Sequence, residues 1–127
     1  MSAEQQFVEL FRIIRTLRGE KGCPWDKKQT PESLKKYLVE ECDELVEAIT
    51  SKETTHVCEE IGDLFFVLSM LLVMYDEQKA FSPEVPLMAV CEKMIRRHPH
   101  VFGDATYQNE AQLHKQWEQI KKEEKLR

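Results

Sequence analysis

The chain has 127 residues, 42% of them hydrophobic and 32% charged, with a net charge of −5. This length holds one domain, residues 1–127, with a modest core, and the apolar content excludes disorder. The acidic balance argues against a nucleic-acid polymer as partner, and the longest apolar run, Leu64 to Tyr75, is too short to span a bilayer.

Taken in chain order, residues 4–18 read as an amphipathic helix, with Phe7, Leu10, Phe11, Ile14 and Leu17 at helical intervals and destined for the core. Glu9, Arg12 and Arg15 interrupt that stretch, so it does not read as a secretory leader. Residues 19–29 form a polar loop containing Gly22-Cys23-Pro24-Trp25-Asp26. Trp25 is expected there as a core or interface anchor. Thr30-Pro31 is an N-cap followed by proline in the first turn, and it launches a second helix that runs to about Thr50.

A third helix covers about residues 55–78. Residues 81–86 break the chain, a fourth helix follows from about Val85 to Arg97, and Pro99 stops it. Asn109 with Gln112 marks the start of a last helix reaching toward Lys125. No strand-like alternation competes, so the expected fold is all-α, a bundle of four to five helices. Cys23, Cys42, Cys58 and Cys91 form no C-x-x-C framework. They are expected as small core fillers in a reducing cytoplasm.

The third helix has apolar residues on every side between Leu64 and Met74. A helix apolar all round must be enclosed, and so short a chain is expected to enclose it only by assembling with further copies, as a homodimer or higher homo-oligomer. Gly62, one turn before the run, is expected to permit close backbone approach.

Acids at helical spacing precede that run. Glu41 and Glu44 stand three apart on the second helix, and Glu60 and Asp63 stand three apart on the third. At that spacing Cβ atoms lie about 5–6 Å from each other. On a wheel for the second helix, Leu34, Leu38, Cys42, Leu45 and Ile49 make the expected core stripe. Glu41 and Glu44 lie on one flank of it, and Glu40 and Glu47 lie nearly opposite. An acidic run alone is ordinarily a solvated face. Two such pairs on consecutive helices joined by a short turn meet side by side, and clustered acids resist desolvation unless a cation holds them. Oxygen-only ligands point to Mg²⁺, with Mn²⁺ as a substitute.

The pattern Glu40-Glu41-x-x-Glu44, fifteen residues, then Glu60-x-x-Asp63 resembles the signature of MazG-type nucleoside triphosphate pyrophosphohydrolases. Gly22-Cys23-Pro24-Trp25-Asp26 before it and Arg96-Arg97-His98-Pro99-His100-Val101-Phe102 after it extend the likeness over about residues 7–122. The resemblance implies Mg²⁺-dependent hydrolysis of a nucleoside triphosphate to monophosphate and pyrophosphate, with Glu41, Glu44, Glu60 and Asp63 as metal ligands. It also implies Lys93 and Arg97 on the triphosphate, and Trp117 and Lys121 on the nucleotide. Glu40, behind the ligands, is a candidate to take a proton from water. Two alternatives stand beside this reading. One is a relative specialised for dUTP, dCTP or phosphoribosyl-ATP, and the other is a non-catalytic helical dimer.

Overall fold

The computed structural model describes residues 1–127 as seven helices and no strand. They fall into two compact units, Met1–Pro83 and Glu84–Arg127. No helix is long and apolar enough to cross a membrane.

In the first unit, α1 (Ala3–Leu17) starts from a reciprocal cap: Ser2 Oγ accepts from the Gln5 amide and the Gln5 side chain accepts from the Ser2 amide. α2 (Pro24–Lys28) is one short helix inside the stretch expected to be loop, with proline in its first turn. Five residues are too few to show a period, which is why the sequence reading passed over it. α3 (Pro31–Ser51) begins as expected at Thr30, whose hydroxyl accepts from the Ser33 amide. It ends at Lys52 in the left-handed conformation (φ 63°), whose amide reaches back to Ala48 and Ile49. Two residues later α4 (Thr54–Glu77) runs back along α3.

The core of this unit is Ile14, Leu34, Met70, Val73 and Met74, with Leu10, Phe11, Tyr37, Phe66 and Leu71 packed around it. Arg18, just past α1, ties three segments together. Its Nη1 donates to the Asp26 and Gln29 carbonyls, and its Nε and Nη2 donate to Glu77 at the end of α4. Phe7, expected in the core, is part-exposed and packs edge-on against Phe65.

Three expectations about packing are corrected. α3 buries Leu34 and Ala48, while Cys42 is exposed and Ile49 is 58% exposed. The seam of α3 therefore follows positions 34, 41 and 48, two turns apart, with Leu34 and Ala48 buried and Glu41 half-buried between them. Cys23 is half-buried and Cys42, Cys58 and Cys91 are exposed free thiols, so they are not core fillers. Gly62 has nothing near the place a Cβ would take, so no close approach explains it.

The second unit comprises α5 (Glu84–Arg97), α6 (Pro99–Phe102) and α7 (Glu110–Lys125). Pro99 ends α5 as expected and also opens the single turn of α6. Asn109 caps α7 by accepting from the Gln112 amide at 2.9 Å. The four-to-five-helix expectation thus holds for the long helices and omits the two short ones.

Candidate functional site

The shift of the α3 seam decides where the acids stand. Glu41 lies on the seam itself, between Leu34 and Ala48, and so faces α4 directly. From α4, Glu60 and Asp63 face back, and one carboxylate oxygen of each of the three lies within 4.8 Å of the others. Glu60 is 7% exposed, and its Oε2 and the Oε2 of Glu41 are buried without a hydrogen-bond partner. A buried carboxylate oxygen without a donor is costly, and two of them together mark a place for a cation.

Glu44 is exposed, as Asp63 is, and interacts with both Glu41 and Glu60. Burial chiefly, and then the neighbouring Glu44, Asp63 and Glu41, push the Glu60 carboxyl up to about 7. Burial, followed by the charges of Glu44 and Asp63, also raises that of Glu41. Carboxyls shifted in this direction keep their protons to higher pH unless a positive ion takes the proton's place. The oxygen-only donor set fits a hard divalent cation. Glu40 and Glu47 are both exposed on α3.

The acids form the wall between two recesses. On one side Glu41 and Asp63 border a cavity of about 260 Å³ whose other walls include Trp25, Tyr37, Phe66 and Met70. On the other side Glu44 and Glu60 border an acidic cleft with Glu47, Glu53 and His56. Trp25 is 50% exposed and meets Tyr37 edge to face at 5.9 Å, so it is a wall of this cavity rather than a core anchor. Sequence reasoning missed Tyr37, Phe66 and Met70 as walls of the cavity. The available signal was spacing: Tyr37 stands four before Glu41, and Phe66 three after Asp63.

In the second unit, Lys93 and Arg97 lie one turn apart on α5, and Trp117 and Lys121 one turn apart on α7. Arg97 sits over the Trp117 ring, 5.9 Å from its centre. His98 meets the same ring edge to face at 5.1 Å, and His100 meets Tyr107 similarly at 5.4 Å. Arg97 and Arg96 both bind Glu124, and Lys121 lies 3.9 Å from Glu118. Arg97 and Trp117 are therefore brought together, with Lys121 one turn further along α7.

Comparison with known proteins places this arrangement. The MazG nucleotide pyrophosphohydrolase domain matches residues 29–102. The chain is 47% identical over 119 residues to the nucleoside triphosphate pyrophosphohydrolase/pyrophosphatase MazG of Thermotoga maritima, covering 94% of this chain and 45% of that protein. It is 46% identical over 120 residues to the uncharacterized protein YabN of Bacillus subtilis, covering 94% of this chain and 24% of that one. It thus spans less than half the length of these relatives. The crystal structure of a mazG-related protein from Thermotoga maritima superposes with a TM-score of 0.74 at 28% identity, covering 93% of this chain and 98% of that one.

Proposed function

Because the chain belongs to the MazG nucleotide pyrophosphohydrolase family, we propose that it hydrolyses nucleoside triphosphates to nucleoside monophosphates and pyrophosphate with Mg²⁺. The observation that carries this reading is the convergence of Glu41, Glu60 and Asp63 with two buried, unpartnered carboxylate oxygens. Glu44 completes the ligand set from the exposed side, and Mn²⁺ is the expected substitute. A divalent cation held there supplies neutralisation of the acids and polarisation of the phosphoryl oxygen.

The rest falls to the chain. Lys93, Arg97 and Lys121 are the proposed counter-charges for the triphosphate, since a purely acidic site repels it. Trp117 is the proposed contact to the nucleotide. Water attacks the α-phosphorus, the bond to the oxygen bridging to the β-phosphorus breaks, and pyrophosphate leaves with that bond's electron pair. The water's proton passes to solvent or to Glu40, which is exposed and one residue from Glu41.

The cavity beside Glu41 and Asp63 suits the nucleoside. Its aromatic and aliphatic walls offer stacking but few hydrogen-bonding groups, so discrimination among bases is weak. That favours a nucleotide-pool enzyme of broad range over a relative specialised for one base. A cytoplasmic setting accords with a nucleotide substrate and four free thiols. A homodimer accounts for Ile61, Phe65 and Leu68, an apolar stripe on α4 that is more than two-fifths exposed in the single chain.

The test is to incubate the purified chain with each triphosphate and Mg²⁺ and to identify the products. Monophosphate with pyrophosphate is expected. Orthophosphate as the first product, or no turnover of any nucleotide, overturns the reading.

A further inference from the structure

The carboxylate of Glu124 in the last turn of α7 is gripped by two consecutive arginines of α5. Arg97 Nη2 donates to its Oε1 at 2.8 Å, Arg97 Nε lies 3.2 and 3.3 Å from its two oxygens, and Arg96 Nε donates to Oε2 at 2.7 Å. The Glu124 and Arg97 side chains are largely withdrawn from water, and that of Arg96 is about a third exposed. A carboxylate at a helix C-terminus opposes the helix dipole, so this one is sustained by its partners. The Arg97 hydrogen bond, above all, holds its carboxyl down at about 2.

A staple between two helices needs one cation, yet here two converge on one anion and leave a surplus positive charge. An arginine has five N–H donors. Arg97 uses its Nε and one hydrogen of Nη2, and Arg96 uses only its Nε. Both hydrogens of each Nη1 remain unused. The Trp117 ring lies against the Arg97 guanidinium and limits its remaining freedom.

We propose that Glu124 is a positioning residue for the triphosphate: it fixes the Arg97 guanidinium, with Arg96 beside it, so that their unused donors are aimed and ready for phosphate oxygens. This rests on the assignment of Arg97 to the triphosphate. Orientation fixed before binding removes an ordering cost from the binding step, so Glu124 acts on nucleotide affinity and not on bond breaking.

Steady-state kinetics of triphosphate hydrolysis at saturating Mg²⁺ test this with E124Q, R97A and the double variant. E124Q is expected to raise KM about tenfold and leave kcat within about twofold. E124D, which keeps the charge on a shorter arm, falls between wild type and E124Q. In the R97A background, E124Q is expected to raise KM by much less than it does in wild type, because only Arg96 is then left for Glu124 to hold. Additive effects, an unchanged KM, or a KM lowered by E124Q overturn the proposal; the last would mean that Glu124 competes with phosphate. If R97A alone leaves KM unchanged, the assignment of Arg97 itself fails, and with it the proposal. Should E124Q lose its helical circular dichroism, E124D in both backgrounds carries the same test.

Discussion

Glu60→Gln separates the proton, the metal and the fold at one position. In the metal-free protein the Glu60 carboxyl is pushed from 4.5 up to about 7, first by burial and then by Glu44, Asp63 and Glu41. Between those two values the folded state holds a proton that the unfolded state has lost. The contribution to stability is therefore complete below about pH 4.5 and is lost as pH rises to about 7. Thermal melts by circular dichroism in a chelator should show stability falling across that window, and Glu60→Gln should flatten the fall. Mg²⁺ added at pH 8 should restore wild-type stability by mass action. At a hundredfold excess over Kd the gain is about 2.7 kcal/mol, or roughly 10 °C in Tm for a domain of this size. Glu60→Gln, with one ligand neutralised, should gain far less. An equal Mg²⁺-induced rise in both proteins would refute the claim that Glu60 holds the ion.

Three further outcomes are expected. Glu41→Gln should abolish pyrophosphate release in the product assay while far-ultraviolet circular dichroism stays unchanged, because it removes a ligand and not a packing group. Trp25→Ala should raise KM about tenfold, in line with a stacking contribution of about 1–3 kcal/mol, and should shift Tm little because the ring is half exposed. Phe65→Asp, on the exposed stripe of α4, should shift the molecular mass seen by light scattering toward the monomer.

The parts of the fold legible in the sequence were those with local causes. Thr30-Pro31 and Asn109 with Gln112 fix helix starts through hydrogen bonds made within four residues, and both starts stand where they were read. The rotation of α3 was not legible, because hydropathy gives weight to Cys42 and Ile49 and little to Ala48. That Ala48 is buried emerges only once α3 is packed. For the same reason Glu41 was placed on a flank although it lies on the seam. The grip of Arg96 and Arg97 on Glu124 spans 28 and 27 residues. Nothing local in the sequence around Glu124 points to partners so far away along the chain. Trp25 needed both the short α2 and the opposite wall of the cavity before its exposure made sense.

The Arg18 anchor constrains how this scaffold can change length. α4 carries Glu60 and Asp63 in its N-terminal half and Glu77 at its far end, where Arg18 also holds the carbonyls beside Trp25. One residue inserted between Asp63 and Glu77 would turn the two ends by about 100° relative to each other. Either the acids or the Arg18 latch could then keep its azimuth, but not both. Along this rod, point substitutions are tolerable where single-residue insertions and deletions are not. A change of about seven residues, close to two whole turns, is the shortest that would leave both ends nearly in phase.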